Sequence, residues 1–261
     1  MLKHRLGWLP DLPDARDDEY EYRPTVAHLP RKIDCRPKVP PIVDQGQLGA
    51  CTGNAAAGVD EFLAMQAGRP FVPLSRLFPY YNGRVIEGTV SQDSGCQIRD
   101  VVKGWAKYGI PAESLCPYDI TKFARKPSKA AYADALQRRI KSYHRVTSLQ
   151  GFKSAIAEKL PVIFGFTVYS SFESVAVERT GHMPMPDLKA EQIEGGHCVW
   201  DGAGYDDDIP YAGSASFDSG NGCAIIPNSW GKKWGEKGFF YMPYPYIANR
   251  SLSDDFWAIR K

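Results

Sequence analysis

The segment Gln45-Gly-Gln-Leu-Gly-Ala-Cys51-Thr-Gly-Asn-Ala-Ala56 decides how the rest of this chain is interpreted. A glutamine precedes a cysteine by six residues, glycines lie between them, and a helix-like run follows. A cysteine at the start of a helix lies where the helix dipole favours an anion, so its thiolate is stabilised. The pattern therefore predicts a nucleophile at Cys51, with the Gln45 amide and the Cys51 N–H as donors to an oxyanion. The alternatives are an inert buried cysteine and a surface glutamine.

Two segments further along supply polar partners. The run Gly-Gly-His197-Cys-Val carries a histidine, and the run Pro-Asn228-Ser-Trp-Gly carries an amide. In this order the three residue types fit a thiol paired with an imidazole, whose ring an amide orients. A metal pair formed by His197 and Cys198 is disfavoured, because adjacent strand residues point to opposite faces. The remaining histidines lack comparable surroundings and are expected at the surface.

At these residues the chain resembles the papain family of cysteine peptidases, in particular its bacterial branch. His197 follows Cys51 by 146 residues, within the window of roughly 130–150 residues typical of that family. The stretch Asn228–Tyr241, with its two Trp-Gly pairs, is the most specific match. The resemblance implies a two-lobe α+β fold, in which a helical lobe and an antiparallel sheet or barrel lobe enclose a cleft. It also implies hydrolysis of peptide bonds, with Trp230 covering the bond between His197 and Asn228.

The resemblance further suggests which residues line the substrate cleft. Gly95 and Cys96 match the wall that pairs with a substrate backbone, and Gly196 and Trp230 flank the catalytic histidine and amide. Asp254 or Asp255 is expected at the base of a side-chain pocket, where a carboxylate would favour a basic or polar group. The ordinary role of an aspartate in such a turn is solvation or capping.

Some positions depart from the family pattern. Thr52 follows the nucleophile where a tryptophan is usual, and Leu48 and Asp93 stand where two bridged cysteines are usual. Neither cysteine of the disulfide that the family usually has at the cleft is therefore present. The six cysteines show no Cys-x-x-Cys pair, so most are expected to be buried as small apolar residues.

Composition excludes several classes of function. The 261 residues carry a net charge of only +2, which argues against nucleic acid or an anionic membrane as the main partner. No apolar run approaches the length of a membrane span, and no secretory signal is visible at the N-terminus. We expect a monomer that acts on polypeptides and needs neither a metal nor another cofactor. The compartment stays open between the cytoplasm and a non-classical export route.

The chain divides into a short leader and one large unit. Residues 1–31 contain prolines, an acidic cluster and several aromatic side chains, without helical or strand periodicity. They form either a disordered leader or a short inhibitory pro-segment that crosses the cleft. Residues 32–261 are predicted to form the peptidase domain, with a helical lobe over about 32–140 and a β lobe over about 141–261.

The pattern of apolar residues predicts helices first and strands later. The predicted helices are Cys51 to about Gln66, Ile98–Tyr108, Lys129–Lys141 and Leu149–Lys159; the predicted strands are Pro161–Val168, His197–Tyr205, Cys223–Ile226, Gly238–Met242 and Asp255–Ile259. Residues Asp206–Gly222 are predicted to form a long polar loop. Besides a peptidase, the residues allow a catalytically silent homologue that binds peptides, or an acyl transferase with the same triad.

Overall fold

The computed structural model describes residues 4–15 and 21–261. Helices dominate the first half of the chain and antiparallel strands the second half, so the predicted two-lobe α+β fold is confirmed. The helices are α1 (Cys51–Gln66), α2 (Leu77–Glu87), α3 (Ile98–Tyr108), α4 (Lys129–Ala135), α5 (Leu149–Ala157), α6 (Val175–Thr180) and α7 (Tyr244–Ala248). The strands are β1 (Trp8–Leu9), β2 (Lys32–Asp34), β3 (Cys96–Gln97), β4 (Ser142–Arg145), β5 (Val162–Tyr169), β6 (Ile193–Asp201), β7 (Gly204–Tyr211), β8 (Gly220–Pro227), β9 (Phe239–Pro243) and β10 (Ser253–Arg260).

Helix α1 lies between the two lobes, and twelve of its first thirteen residues are buried, Gly58 being the exception. Glycine within a helix costs about 1 kcal/mol relative to alanine. Here it permits close packing, because a Cβ at Gly53 would lie 2.3 Å from the carbonyl oxygen of Arg76. A Cβ at Gly58 would lie 2.7 Å from the Trp200 ring on β6. The helix that carries Cys51 is thus fixed against both the helical lobe and the sheet.

Two four-stranded antiparallel sheets form the β lobe. One has the order β4-β10-β5-β6 and the other β2-β7-β8-β9. His197 lies on β6, paired with Phe166 of β5, and Asn228 directly follows β8. The aromatic core between the strands includes Phe164, Phe166 and Phe240, all fully buried. The sheets therefore present a histidine and an amide, from distant parts of the chain, at one edge of the lobe.

Three predicted elements differ from the structure. The helix after Lys129 ends at Ala135 and continues only as a short 3₁₀ turn, instead of reaching Lys141. The predicted strand His197–Tyr205 is two strands, β6 and β7, joined by a tight turn at Gly202 and Ala203. The predicted polar loop over 206–222 is too long, because its two ends belong to β7 and β8 and only residues 212–219 form the loop. Polar residues suit these strands since they form a hairpin with one solvated face.

The described part of the leader has two separate contacts with the rest of the chain. Residues 4–15 enter the cleft, where β1 pairs in parallel with β3. Residues 21–31 instead lie on the β lobe. Tyr22 is 7% exposed within the core that contains Phe152, and the Glu158 carboxylate accepts the N–H and hydroxyl of Thr25 at 2.5 and 2.7 Å. The sequence groups residues 1–31 as one tail, whereas its described parts have different surroundings.

Candidate active site

Cys51 is the first residue of α1 and is fully buried. The residue before it, Ala50, offers no side-chain cap, so the first N–H groups of the helix are left to other acceptors. The backbone N–H groups of Cys198 and Gly7 approach the Cys51 sulfur closely enough to act against the effect of burial. The residue after His197 is thus a direct neighbour of the predicted nucleophile.

His197 and Asn228 are joined by a hydrogen bond of 2.9 Å between Nε2 and Oδ1. The same Oδ1 accepts the backbone N–H of Ser229 at 2.8 Å, which identifies it as the amide oxygen. Nε2 of the neutral ring must therefore carry the proton. Nδ1 is buried and has no hydrogen-bond partner among residues 4–15 and 21–261. This leaves Nδ1 as the ring atom that can exchange a proton with a thiol.

Trp230 covers this bond with its ring. The indole stacks on His197 with a centroid distance of 5.0 Å, and His4 of the leader stacks on the opposite side of the indole at 4.9 Å. Trp230 is 5% exposed. Exclusion of water strengthens the bond between His197 and Asn228. His4, which we expected at the surface, is therefore part of this stack.

Gln45 is fully buried, and its amide is oriented from both ends. Oε1 accepts the hydroxyl of Ser229 at 2.5 Å, and Nε2 donates to the carbonyl of Arg5 at 2.8 Å. Nε2 also donates to the carbonyl of Leu48 at 3.1 Å. Ser229 thus contacts both Gln45 and Asn228, a role that the sequence pattern did not reveal.

Burial sets the protonation of the two reactive groups. Burial raises the pKa of the Cys51 thiol to about 11. Burial also lowers the pKa of His197 to about 4, against the raising effect of its bond to Asn228. With the leader in place, both groups are neutral at neutral pH.

Three of the predicted cleft residues, Gly95, Cys96 and Gly196, lie against the leader. The N–H of Cys96 donates to the Gly7 carbonyl at 2.8 Å, and the Gly196 carbonyl accepts the Gly7 N–H at 3.0 Å. A Cβ at Gly95 would lie 2.3 Å from the same Gly7 oxygen, so only glycine permits this approach. The structure thus brings Gly95, Cys96 and Gly196 together around one short segment of backbone.

The side chain of Trp8 fills a pocket beside these glycines. A Cβ at Gly165 would lie 2.0 Å from the indole, and Trp8 is 8% exposed. The floor of the pocket is Asp255, whose Oδ2 accepts the Trp8 Nε1–H at 3.0 Å. Its Oδ1 lies 3.1 Å from the Arg145 guanidinium.

The structure places Asp255, and not Asp254, at the floor of the pocket. The pairing of β10 with β5 is irregular between Asp254 and Trp257, and Asp255 has a φ of +59°. This bulge rotates Asp255 inward. The carboxylate of Asp254 is 36% exposed and pairs instead with Arg145 and Arg250. A strict two-residue alternation, the only signal in the sequence, cannot locate such a bulge.

Asp93 holds the loop before the nucleophile without a disulfide. Both of its carboxylate oxygens lie 3.1 Å from the N–H of Gly49, and one also accepts the hydroxyl of Tyr80. All six cysteines, which lie within the described residues, are free. Four of them, Cys51, Cys96, Cys198 and Cys223, are buried, as expected for small apolar residues.

Among residues 4–15 and 21–261, no three acidic, histidine or cysteine side chains are grouped as a metal site would require. No helix in the same part of the chain is long and apolar enough to cross a membrane.

Comparison with known proteins identifies the class to which this fold and site belong. The sequence profile of the papain family cysteine proteases matches residues 29–249. The chain therefore belongs to the papain family and is a cysteine protease that hydrolyses peptide bonds, as the resemblance predicted.

Individual relatives show the same relationship. Xylellain, a cysteine protease from Xylella fastidiosa, is 38% identical and has a TM-score of 0.85, with 98% of this chain and 96% of xylellain covered. An uncharacterized peptidase C1-like protein of Acanthamoeba polyphaga mimivirus is 37% identical over 88% of this chain and 73% of its own length. The digestive procathepsin L 3 of Tenebrio molitor shares the fold, with a TM-score of 0.70 at 21% identity over 92% of this chain and 73% of its own.

Proposed function

We propose that Cys51, His197 and Asn228 form the catalytic triad of this protease and that Gln45 is a side-chain donor to the oxyanion. The hydrogen bond between His197 and Asn228 is the observation that carries the proposal, because it leaves Nδ1 free beside the start of α1. The neighbouring Cys198 N–H already contacts the Cys51 sulfur.

The reaction follows from the protons that these groups hold. Transfer of the thiol proton to Nδ1 of His197 gives a thiolate and an imidazolium. The thiolate attacks the carbonyl carbon, and the oxyanion receives hydrogen bonds from Gln45 Nε2 and the Cys51 N–H. The C–N bond breaks as His197 returns the proton to the leaving amine, which leaves an acyl thioester. Water then loses a proton to His197, attacks the thioester and releases the Cys51 thiolate.

We further propose that residues 4–15 inhibit the protease from within the cleft. The Arg5 carbonyl accepts a hydrogen bond from Gln45 Nε2, while the Gly7 N–H approaches the Cys51 sulfur. The carbonyl that bonds to Gln45 and the N–H that lies near the thiol belong to different peptide units. Because the leader occupies both positions, it excludes a substrate backbone from the cleft.

The pocket under Trp8 supports a proposal about substrate selection. Departure of the leader removes the Trp8 donor from Asp255 Oδ2, but Arg145 still pairs with Oδ1. Because Arg145 compensates the charge of Asp255, the open pocket offers an acceptor without a net negative charge. We therefore expect it to prefer a large neutral side chain that carries a donor, such as indole, over lysine or arginine.

The test is hydrolysis of fluorogenic peptides under reducing conditions by the chain with Gly7→Leu, a change meant to displace the leader because a Cβ there would lie 2.0 Å from the Gly49 carbonyl oxygen. In this background we expect no activity for Cys51→Ala or His197→Ala and a loss of about 10²–10³ in kcat for Gln45→Ala. Peptide binding without turnover in the Gly7→Leu chain would favour a silent homologue. Formation of amides with added amines in place of hydrolysis would favour an acyl transferase.

Peptides that differ only at the side chain bound over Gly165 test the pocket. A higher kcat/KM for tryptophan than for phenylalanine, with arginine below both, is the expected order. A highest kcat/KM for arginine would contradict the proposal that Arg145 compensates the charge of Asp255 in this pocket.

A further inference from the structure

Tyr118 lies at the centre of a polar network that joins the Gln45 loop to helix α1. Its hydroxyl donates to the backbone carbonyl of Gln45 at 2.9 Å. The same oxygen accepts Nδ2 of Asn54 at 3.4 Å, and that amide also donates to the Ala50 carbonyl at 2.8 Å. One hydroxyl is therefore connected to Gln45 and, through Asn54, to the residue that precedes Cys51.

Arg76 holds the Tyr118 ring in this position. Its guanidinium carbon lies 3.8 Å from the centroid of the ring, at a distance typical of a cation–π contact. Nη1 donates to the Asp44 carbonyl at 3.1 Å and lies 3.4 Å from Oδ1 of Asn54. The Tyr118 N–H donates to the Glu113 carboxylate at 2.6 Å. The network thus holds two successive backbone carbonyls, those of Asp44 and Gln45, together with the first turn of α1.

The spacing of the two oxyanion donors depends on these same segments. One donor is the Gln45 side chain and the other is the N–H at the start of α1. Stabilisation of an oxyanion requires donors already placed at about 2.7–3.1 Å from the oxygen, so a small displacement of one segment weakens both bonds together. The hydroxyl of Tyr118 is the shortest connection that the structure shows between the Gln45 carbonyl and the Asn54 side chain of α1.

We propose that Tyr118, supported by Arg76, is a positioning residue that sets the distance between the two donors of the oxyanion site. This inference rests on the function proposed above. The hydrogen bonds of the Tyr118 hydroxyl go to the Gln45 carbonyl and the Asn54 side chain, so it acts through these two residues. Removal of its hydroxyl should therefore reduce transition-state stabilisation and leave substrate binding and thiol reactivity unchanged.

The test uses the full chain with Gly7→Leu, which is designed to displace the leader, and adds Tyr118→Phe. The matched control is Tyr132→Phe, because Tyr132 lies in the same lobe and its hydroxyl also bonds to an asparagine side chain, Oδ1 of Asn82 at 2.8 Å. We expect Tyr118→Phe to lower kcat roughly tenfold at constant KM. The control should retain the parent kcat.

Two inhibitors distinguish positioning from general damage. A peptide aldehyde adds to the thiol and places its oxygen in the oxyanion site, whereas iodoacetamide alkylates the sulfur without forming an oxyanion. Tyr118→Phe should weaken aldehyde binding in proportion to kcat and leave the alkylation rate unchanged. In a Gln45→Ala background it should have little further effect, because the donor that it positions is already absent.

Three results would overturn the inference: an unchanged kcat, an equal loss in the Gln45→Ala background, or a parallel loss of aldehyde binding, alkylation and melting temperature. Arg76→Gln, which keeps the hydroxyl but removes the cation over the ring, should show the same pattern more weakly. The parent reaction is checked separately with Cys51→Ala in the same background. If hydrolysis survives that change, the proposed triad is wrong, independently of Tyr118.

Discussion

The backbone carbonyl of Arg5 accepts a hydrogen bond from Nε2 of Gln45 at 2.8 Å. The contact links the leader directly to the proposed oxyanion donor. At the predicted nucleophile, the leader places the Gly7 N–H near the Cys51 sulfur. The leader therefore reaches the proposed oxyanion donor through one peptide unit and the thiol through another.

Gly7→Leu should release the leader. A Cβ at this position would lie 2.0 Å from the carbonyl oxygen of Gly49, and backbone cannot yield as a flexible side chain can. Overpacking of this kind costs at least 1–3 kcal/mol, so we expect kcat/KM of the full chain to rise about tenfold or more. Leu12→Ala is the control, because its side chain is 67% exposed. Unchanged hydrolysis in Gly7→Leu would contradict inhibition by the leader.

Cys51 should react slowly with iodoacetamide while the leader is docked. Burial raises the pKa of this thiol to about 11, so only a small fraction is thiolate at neutral pH. In Gly7→Leu, solvent and the imidazolium of His197 become available and the rate should increase by a factor of ten or more. Peptide mass spectrometry measures alkylation at each cysteine, with Cys35 as an internal reference. Equal rates at Cys51 in both chains would show that the leader does not control the thiol.

The leader should bind more tightly in acid. Burial and the neighbouring Asp255 carboxylate raise the pKa of Asp11 to about 7, although Trp257 and the Arg99 N–H donate to it. A free aspartate has a pKa of about 3.9, so the docked state takes up a proton between about pH 4 and 7. A paired carboxylate usually has a lowered pKa, whereas the pKa of Asp11 is raised in the docked state. Docking of the leader therefore weakens as pH rises from about 4 to 7.

Cys51 and His197 add little to the pH dependence of leader docking. Docking moves a proton from the imidazolium to the thiolate, so no net proton is exchanged with solvent. Arg145 lies 3.4 Å from Asp11 and 3.1 Å from Asp255. The measurement is the ratio of kcat/KM between the full chain and Gly7→Leu from pH 4.5 to 8. We expect this ratio to rise with pH, and we expect a smaller rise when both chains carry Asp11→Asn. A ratio that falls with pH would show that Asp11 does not take up a proton when the leader docks.

Removal of residues 1–31 should destabilise the chain more than removal of residues 1–20. The longer deletion additionally loses Tyr22 from the core and the bonds of Thr25 to Glu158, together worth about 2–4 kcal/mol. For a chain of this size its melting temperature should lie roughly 5–10 °C below that of the shorter deletion. Thermal unfolding of both shortened chains, compared with Tyr22→Ala in the full chain, measures the effect. Identical melting temperatures would show that residues 21–31 are dispensable for stability.

The sequence predicted best those elements whose ends are set by neighbouring residues. Helices α1 and α3 begin and end where their apolar pattern and the following Ala-Gly or Gly-x-Pro runs predict. The helix predicted after Lys129 and the polar loop predicted after Asp206 are both shorter in the structure. At these two places, packing and strand pairing override the local preference of the residues. The residues proposed for the triad were recognisable from their order and spacing. Ser229 and Tyr118 were not, since each acts through contacts that no short motif records.

The sequence by itself determined the family, the residue types that can carry the chemistry and their order along the chain, because these depend on spacing and short-range pattern. Only the tertiary structure decided which aspartate forms the floor of the pocket, and how the leader lies in the cleft. Trp8 and Asp255 are separated by 247 positions, and a single bulge determines whether they meet. Contacts of that kind depend on strand register and on glycines that admit a second backbone, which are properties of the packed chain and not of any segment.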